Sequence, residues 1–313
     1  MTIPETDASS PSNVAMPHVQ VLLATFNGER WLDEQLRSIF AQAGVRVSVL
    51  VSDHGSADGT LALIERWRTG GADVDVLAGL PAGKGSAANF LRLVREHGSA
   101  GIDYVALADQ DDVWLPDRLI RAAQAMRAHG AVAYSSDVLA VWPDGRAMPI
   151  RKSQPQRRFD YLLEPAGPGC TYVMTAAFAA AMRAELLSQP QRFDGVQQHD
   201  WLIYSFARTH GYCWVIDDQR GIHYRQHPAN EVGANVGMHG IRRRWRRARS
   251  GLFRQQLLTV ARLWSGAHAK PLRCFERFGW RERCLLALHV RQLRRRPKDQ
   301  LALFFMLLLG VLG

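Results

Sequence analysis

Between Val19 and Gly130 the chain repeats one pattern four times: an apolar run, then a stretch whose apolar residues recur every three or four positions. The runs are VQVLLATF (19–26), VRVSVLVSD (45–53), ADVDVLAG (72–79) and IDYVALAD (102–109). The first helical stretch carries Trp31, Leu32, Gln35, Leu36 and Ile39 on one face. The second, with Asp58 or Thr60 as its cap, carries Leu61, Ile64 and Trp67. NFLRLVREHG (89–98) is the third, and LPDRLIRAAQAMRAHG (115–130), stopped by Gly130, is the fourth. Neighbouring parallel strands need a crossover, and an intervening helix supplies it. The alternation therefore predicts a Rossmann-like, mostly parallel α/β sheet flanked by helices. Such sheets bind ligands at the carboxyl ends of their strands.

Four of those ends carry polar clusters: Thr25–Asn27, Asp53–Ser56, Gly83–Ser86 and Asp109–Asp112. The last sets three carboxylates within four positions, where they repel one another and disfavour a strand. A divalent cation would remove the repulsion, because Mg²⁺ and Mn²⁺ take carboxylate oxygens and bridge to diphosphates. An extended backbone would send Asp109 and Asp111 to the same side. The competing description makes these acids solvated turn and cap residues, Asp112 above all, with Asp117 in the first turn of the next helix.

Beyond Ala131 the pattern loosens. AVAYSSDVLAVWPDGR reads as a hairpin around Pro143–Gly145, and 147–166 as a mobile basic loop. GPGCTYVMT leads through a Gly-rich turn into a strand, with Thr175 a candidate cap for the helix that follows. HDWLIYSFARTHG reads as a helix, and CWVIDDQRGIHYRQ as strand, turn and strand. His223 and His227 lie in that extended stretch, where a spacing of four separates them too far for joint zinc ligation. Trp114 and Trp201 suit sugar stacking or, more ordinarily, a core. Lys84 is placed to reach a phosphate or to be solvated.

The ordered set of segments resembles the inverting glycosyltransferases of family 2, of GT-A fold type, and within them rhamnosyltransferases of bacterial surface polysaccharides. VLLATFNGERWLDEQLRSIFAQ is similar to the family's opening strand and helix, VLVSDHGSADGT to its Asp-Asp-Gly-Ser-x-Asp-Gly-Thr segment, and ADQDDVWLPDRL to its metal segment. GKGSAANFLRL, GPGCTYVMT, QHDWLIYSFA and YRQHPANEVGA follow the family's order, so the likeness covers residues 19–235. It implies a nucleoside-diphosphate sugar donor and a Mg²⁺ or Mn²⁺ ion. Thr25 and Asn27 would line the nucleotide loop, and Asp53 would hydrogen-bond the base. Asp109 and Asp111 would serve the diphosphate through the metal, Asp111 as the direct ligand. Asp200 would be the catalytic base, its carboxyl raised by the apolar WLIYSF helix, and His227 would lie near the diphosphate. The bland reading of Asp200 is an N-cap. His54 stands where the family usually has a second Asp, which leaves base or ribose recognition open.

The net charge of +10 is not spread evenly. Residues 1–239 hold 21 Lys and Arg against 26 Asp and Glu, whereas 240–313 hold 18 against 3. A basic C-terminal helical tail over 239–313 follows, after a disordered leader (1–17) and a catalytic domain (18–238). Seven Arg between 242 and 254 interleave with Trp245, Leu252, Phe253, Leu257 and Leu258, a composition that suits an anionic membrane surface better than nucleic acid. The final LALFFMLLLGVLG, 13 residues, is too short to span a bilayer and is left to dip into one leaflet or to pack on a partner. Four cysteines without a CxxC pair indicate reduced thiols in a cytoplasmic protein, and the basic tail would hold it peripherally on the inner membrane face. The resemblance to rhamnosyltransferases implies a reaction that moves L-rhamnose from dTDP-rhamnose onto a saccharide or lipid-linked acceptor, with UDP-sugars open as donors. The rival classes are a nucleotidyltransferase and a non-catalytic sugar-nucleotide-binding membrane module.

Overall fold

The computed structural model describes residues 16–81, 85–98, 100–228, 230, 250–264 and 270–311. Four parts of the sequence reading lie outside these residues: nearly all of the leader, the loop residues Gly83 and Lys84, the end of the YRQHPANEVGA segment (231–234), and the arginine run 242–249 with Trp245 and the boundary at 238.

The four predicted repeats fold as β1 (His18–Thr25), α1 (Glu29–Phe40), β2 (Arg46–Asp53), α2 (Thr60–Thr69), β3 (Val74–Val76), α3 (Gly85–Glu96), β4 (Tyr104–Asp109) and, after the short β5 (Val113–Trp114), α4 (Arg118–His129). Gly130 ends α4 in the left-handed region at φ 58°, which a side chain would resist. The chain continues through β6 (Ala133–Ser136), β7 (Val138–Val141), β8 (Ala147–Ile150), β9 (Val173–Thr175), α5 (Ala176–Ser188), α6 (His199–Thr209), β10 (Trp214–Asp217) and β11 (Ile222–Arg225). Thr175 caps α5, its Oγ1 accepting from the Phe178 N–H at 3.3 Å.

The main sheet has seven strands in the order β10-β6-β9-β4-β1-β2-β3, parallel except for β9, which runs antiparallel to both β4 and β6. β1 is an interior strand, fifth in that order, between β2 and β4, where the strand order reverses direction. Its Val19, Val21, Leu22 and Leu23 are fully buried because helices cover both faces. Leu22 packs with α3, α5 and α6 on one side, and Val21 and Leu23 with α1, α2 and α4 on the other. The register sets Thr25 beside Asp53 and Ala24 beside Asp109, so three strands end together at the switch point.

A second sheet, β5-β11-β7-β8, hangs from that end. The β7–β8 hairpin forms as expected around Pro143–Gly145. β10 and β11, expected as one strand–turn–strand unit, go to different sheets. The segment 147–166, expected to be mobile, is instead held fast. Asp137 accepts from the N–H groups of Lys152 and Ser153, and Asp160 and Glu164 are buried beneath the C-terminal helices.

Those helices are α7 (Leu252–Trp264), α8 (Lys270–Arg277), α9 (Trp280–Leu288), α10 (Val290–Leu293) and α11 (Pro297–Leu308). Their inner residues, among them Leu257, Phe275, Leu293 and Leu307, belong to the same core as α3, α5 and α6. Leu257, expected at a bilayer, is thus a core residue, and Phe253 stacks on Trp201 at 5.7 Å. Buried charge locks the junction. Arg295, fully buried, donates its backbone N–H to Glu164 Oε1 at 2.8 Å and pairs with Asp160, which also takes Arg208 at 2.8 Å.

Candidate active site

The loops after β1 and β2 are knitted together before any ligand arrives. Thr25 is buried and donates its hydroxyl to Asp53 Oδ2 at 2.8 Å. Asp53 also accepts from the N–H groups of Gly55 (2.9 Å) and Ser56 (2.7 Å) and from the Ser56 hydroxyl (2.6 Å). A carboxylate offers about four lone-pair positions, and these contacts fill them. Asp53 therefore shapes the loop, and bonding a nucleobase requires one of these contacts to exchange. Asn27, at φ 48°, accepts from the Ala57 N–H at 2.8 Å. Beside it, a Cβ on Gly28 would collide with Gln110, whose amide brackets both polar groups of the Phe26 backbone.

After β4 the backbone turns at Gln110–Asp111 instead of staying extended, so the geometry expected for Asp-x-Asp is replaced. Asp109 comes together with Asp112 and the Cys170 thiol, their candidate ligand atoms all within 4.8 Å of one another. Asp111 instead faces the far side of the sequence. Its Oδ2 lies 2.7 Å from His227 Nε2 and 3.4 Å from Asn230 Nδ2. Burial, then repulsion from Asp111 and Asp109, pushes the Asp112 carboxyl well above the usual range, and burial likewise raises the Cys170 thiol that bonds to it. Asp112 is thus the buried acid of the cluster rather than a solvated turn residue. The hard oxygen donors gathered here for a divalent cation are the carboxylates of Asp109 and Asp112, whereas Asp111, expected as the direct ligand, is bonded to His227 and Asn230. The unrelieved repulsion among the three acids is the feature such an ion would satisfy.

The α1 helix and β11 brace this turn. Trp31 stacks on His227 with ring centroids 3.9 Å apart. Arg225 donates to the Asp111 carbonyl at 2.9 Å and to Glu34 at 2.5 Å, and its backbone N–H reaches Asp112 Oδ1 at 3.2 Å.

Asp200 lies in the first turn of α6, whose N-cap is Gln198, so it is not the cap. The residue keeps some solvent access, yet burial of its carboxyl pushes it up to about 6, against the pull of the Trp201 N–H and the nearby Lys152 charge. Next to it, His199 stacks on Phe90 at 3.9 Å and is pushed down to about 3 by burial. Two links bring Asp200 and the acidic turn to the same end of the sheet. Gly169 abuts His199 so closely that a Cβ would collide with the ring, while its neighbour Cys170 reaches Asp112. Asn89 donates to the Thr25 carbonyl at 3.2 Å, and the following Phe90 carries His199.

Trp114 and Trp201 are core residues, buried to within a few per cent. The sequence reading missed Trp31, Arg225, Cys170, His199 and Lys152. In the sequence Trp31 is one residue of an apolar helix face, and the local signal for Arg225 is its place two residues before His227. Nothing local in the sequence marks Cys170 or Lys152.

The family model described as Glycosyl transferase family 2 matches residues 20–189. The dTDP-rhamnosyl transferase RfbG of Shigella flexneri is 33% identical over 290 residues, 92% of this chain and 100% of that protein. The succinoglycan biosynthesis protein ExoO of Rhizobium meliloti (strain 1021) is 31% identical over 161 residues, 50% of this chain and 43% of its own. Among solved structures, S. aureus TarS 1-349 superposes with a TM-score of 0.54 at 14% identity, covering 93% of this chain and 81% of that one. Its complex with UDP gives 0.53 at 17% identity, covering 82% of this chain and 69% of the other. At these identities the superpositions establish the fold, which is the GT-A type.

Proposed function

The chain belongs to glycosyl transferase family 2 and is a glycosyltransferase, not a nucleotidyltransferase or a non-catalytic module, and we propose that it transfers L-rhamnose from dTDP-L-rhamnose with inversion of the anomeric centre. The acceptor in this reading is a saccharide or lipid-linked saccharide of a surface polysaccharide, met at the cytoplasmic face of the inner membrane, with no role for nucleic acid. The single observation that carries the mechanism is Asp200, a carboxyl set near neutrality at the sheet end that also holds the acidic turn.

In that reading an acceptor hydroxyl oxygen attacks the anomeric carbon as the bond to the diphosphate breaks, and the electron pair leaves with the nucleotide. Asp200 takes the hydroxyl proton, and its raised basicity suits the task. The sugar passes through an oxocarbenium-like state, as in glycoside hydrolysis, and one displacement inverts it. A Mg²⁺ or Mn²⁺ ion taken up at the acidic turn, with Asp109 and Asp111 the expected ligands, would stabilise charge on the departing diphosphate. Thr25, Asn27 and Asp53 hold the nucleotide loop in shape.

The donor assignment rests on the relative whose full length this chain covers. Its test offers dTDP-L-rhamnose, UDP-sugars and GDP-sugars to the purified protein with Mn²⁺ or Mg²⁺ and measures nucleotide release and thermal stabilisation. Release from dTDP-L-rhamnose alone is expected. Selective release of UDP would overturn the donor, and an acceptor product that retains the donor's anomeric configuration would overturn the mechanism.

A further inference from the structure

The apolar end of the chain does not form one uniform greasy segment. In α11, Leu303 and Leu307 are buried against the body of the protein, whereas Leu301, Phe305, Leu308 and Leu309, at helical spacing, point to solvent. The neighbouring α9 divides the same way: Leu286 and Ala287 are buried, while Trp280, Leu285 and Leu288 are bare. The two helices pack together, and Gly310 just beyond the end of α11 lies against the Arg283 side chain of α9. These seven side chains are 46% to 77% exposed and make up half of the fourteen exposed large apolar residues among the described ones. Isolated exposed apolar residues need no explanation, but a concentration on two adjoining helices does.

We propose that the outer faces of α9 and α11 form a docking surface for an anionic phospholipid membrane. The inference rests on the membrane-facing part of the preceding reading and narrows it from the basic tail as a whole to the outer faces of two of its helices. Charge decides the occupant. Residues 270–311 hold ten Lys and Arg against three acids, with Arg281, Arg291, Arg296 and Lys298 exposed around the apolar faces. A second copy of the chain seated here would bring two basic surfaces together, whereas an anionic bilayer neutralises them. Tryptophan, leucine and phenylalanine beside arginine also match the headgroup boundary, where indoles settle and long cations reach outward. Among the described residues no helix is long and apolar enough to cross a membrane, so α9 and α11 lie along the interface. Arg295 and the shared core fix these helices rigidly to the catalytic half, so docking would also orient the cleft.

The test is flotation of the full chain with phosphatidylcholine vesicles, with and without phosphatidylglycerol. Wild-type protein is expected to float with the anionic vesicles. Leu288→Glu with Phe305→Glu should reduce the bound fraction roughly tenfold, because binding scales with buried apolar area. Both positions are solvent-facing, so the thermal melt and donor turnover in solution should not change, which separates this inference from the assigned reaction. An environment-sensitive dye on exposed Cys284, in a chain with Cys213→Ser and Cys274→Ser, should shift to the blue on binding. Three results would each overturn the proposal. They are wild-type protein left in solution with anionic vesicles, vesicle binding with an unshifted dye and an unaffected double variant, and a double variant that merely converts a dimer to monomer.

Discussion

Lowering the pH from 7 to 5 should slow this enzyme about tenfold, for a reason located in one side chain. Asp200 has its carboxyl pushed up to about 6 by burial, and only the ionised form can accept the acceptor's proton. With that midpoint roughly nine-tenths of Asp200 is ionised at pH 7 and roughly one-tenth at pH 5. An ordinary carboxylate near 3.9 would still be about nine-tenths ionised at pH 5 and would leave the rate flat. The sign for stability runs the other way. A carboxyl raised by folding favours its protonated form, so the native state loses stability as pH rises from about 4 to about 6. Above that window, the full shift corresponds to about 3 kcal/mol, and the residue's partial solvent access reduces it to about 1–2 kcal/mol. Asp200→Asn removes that cost. It should lose two to four decades of turnover, roughly the worth of a general base, and yet melt a few degrees higher, at about 2–4 °C per kcal/mol. Nucleotide release followed from pH 5 to 8 at saturating cation, with melting curves of both proteins at pH 7.5, measures all of this. A flat rate between pH 7 and 5, or near-normal turnover in Asp200→Asn, would refute the reasoning.

Lys152 lies close enough for its charge to hold Asp200 down, so Lys152→Met should move the acid limb above pH 6 while Lys152→Arg leaves it in place. Rates at pH 8 should be nearly unchanged in both. Arg295→Leu strands Asp160 and Glu164 without their buried partner, and equilibrium urea unfolding should report a loss of about 3–5 kcal/mol. Asp111→Asn should abolish the stimulation of donor turnover by Mn²⁺ without lowering the melting temperature in cation-free buffer. Retained stimulation would remove Asp111 from the cation site.

What the sequence determined by itself was everything written at short range. The periodicity of 19–130 dictated four strands and four helices in order, Gly130 and Thr175 marked a helix end and a helix start, and Pro143–Gly145 marked a hairpin. Polar residues at strand ends pointed to the candidate site, because a parallel sheet gathers those ends whatever the loops do. Tertiary structure decided the pairings between distant residues. His227 meets Asp111 across 116 positions, Arg295 meets Glu164 across 131, and Cys170 slips beneath Asp112. It likewise turned Leu257 inward, left Leu288 and Phe305 bare, and pinned the segment 147–166 that composition alone marked as loose. A residue's own neighbours fix its backbone preference, but the environment that sets a carboxyl near pH 6 or buries an arginine exists only after remote elements have packed together.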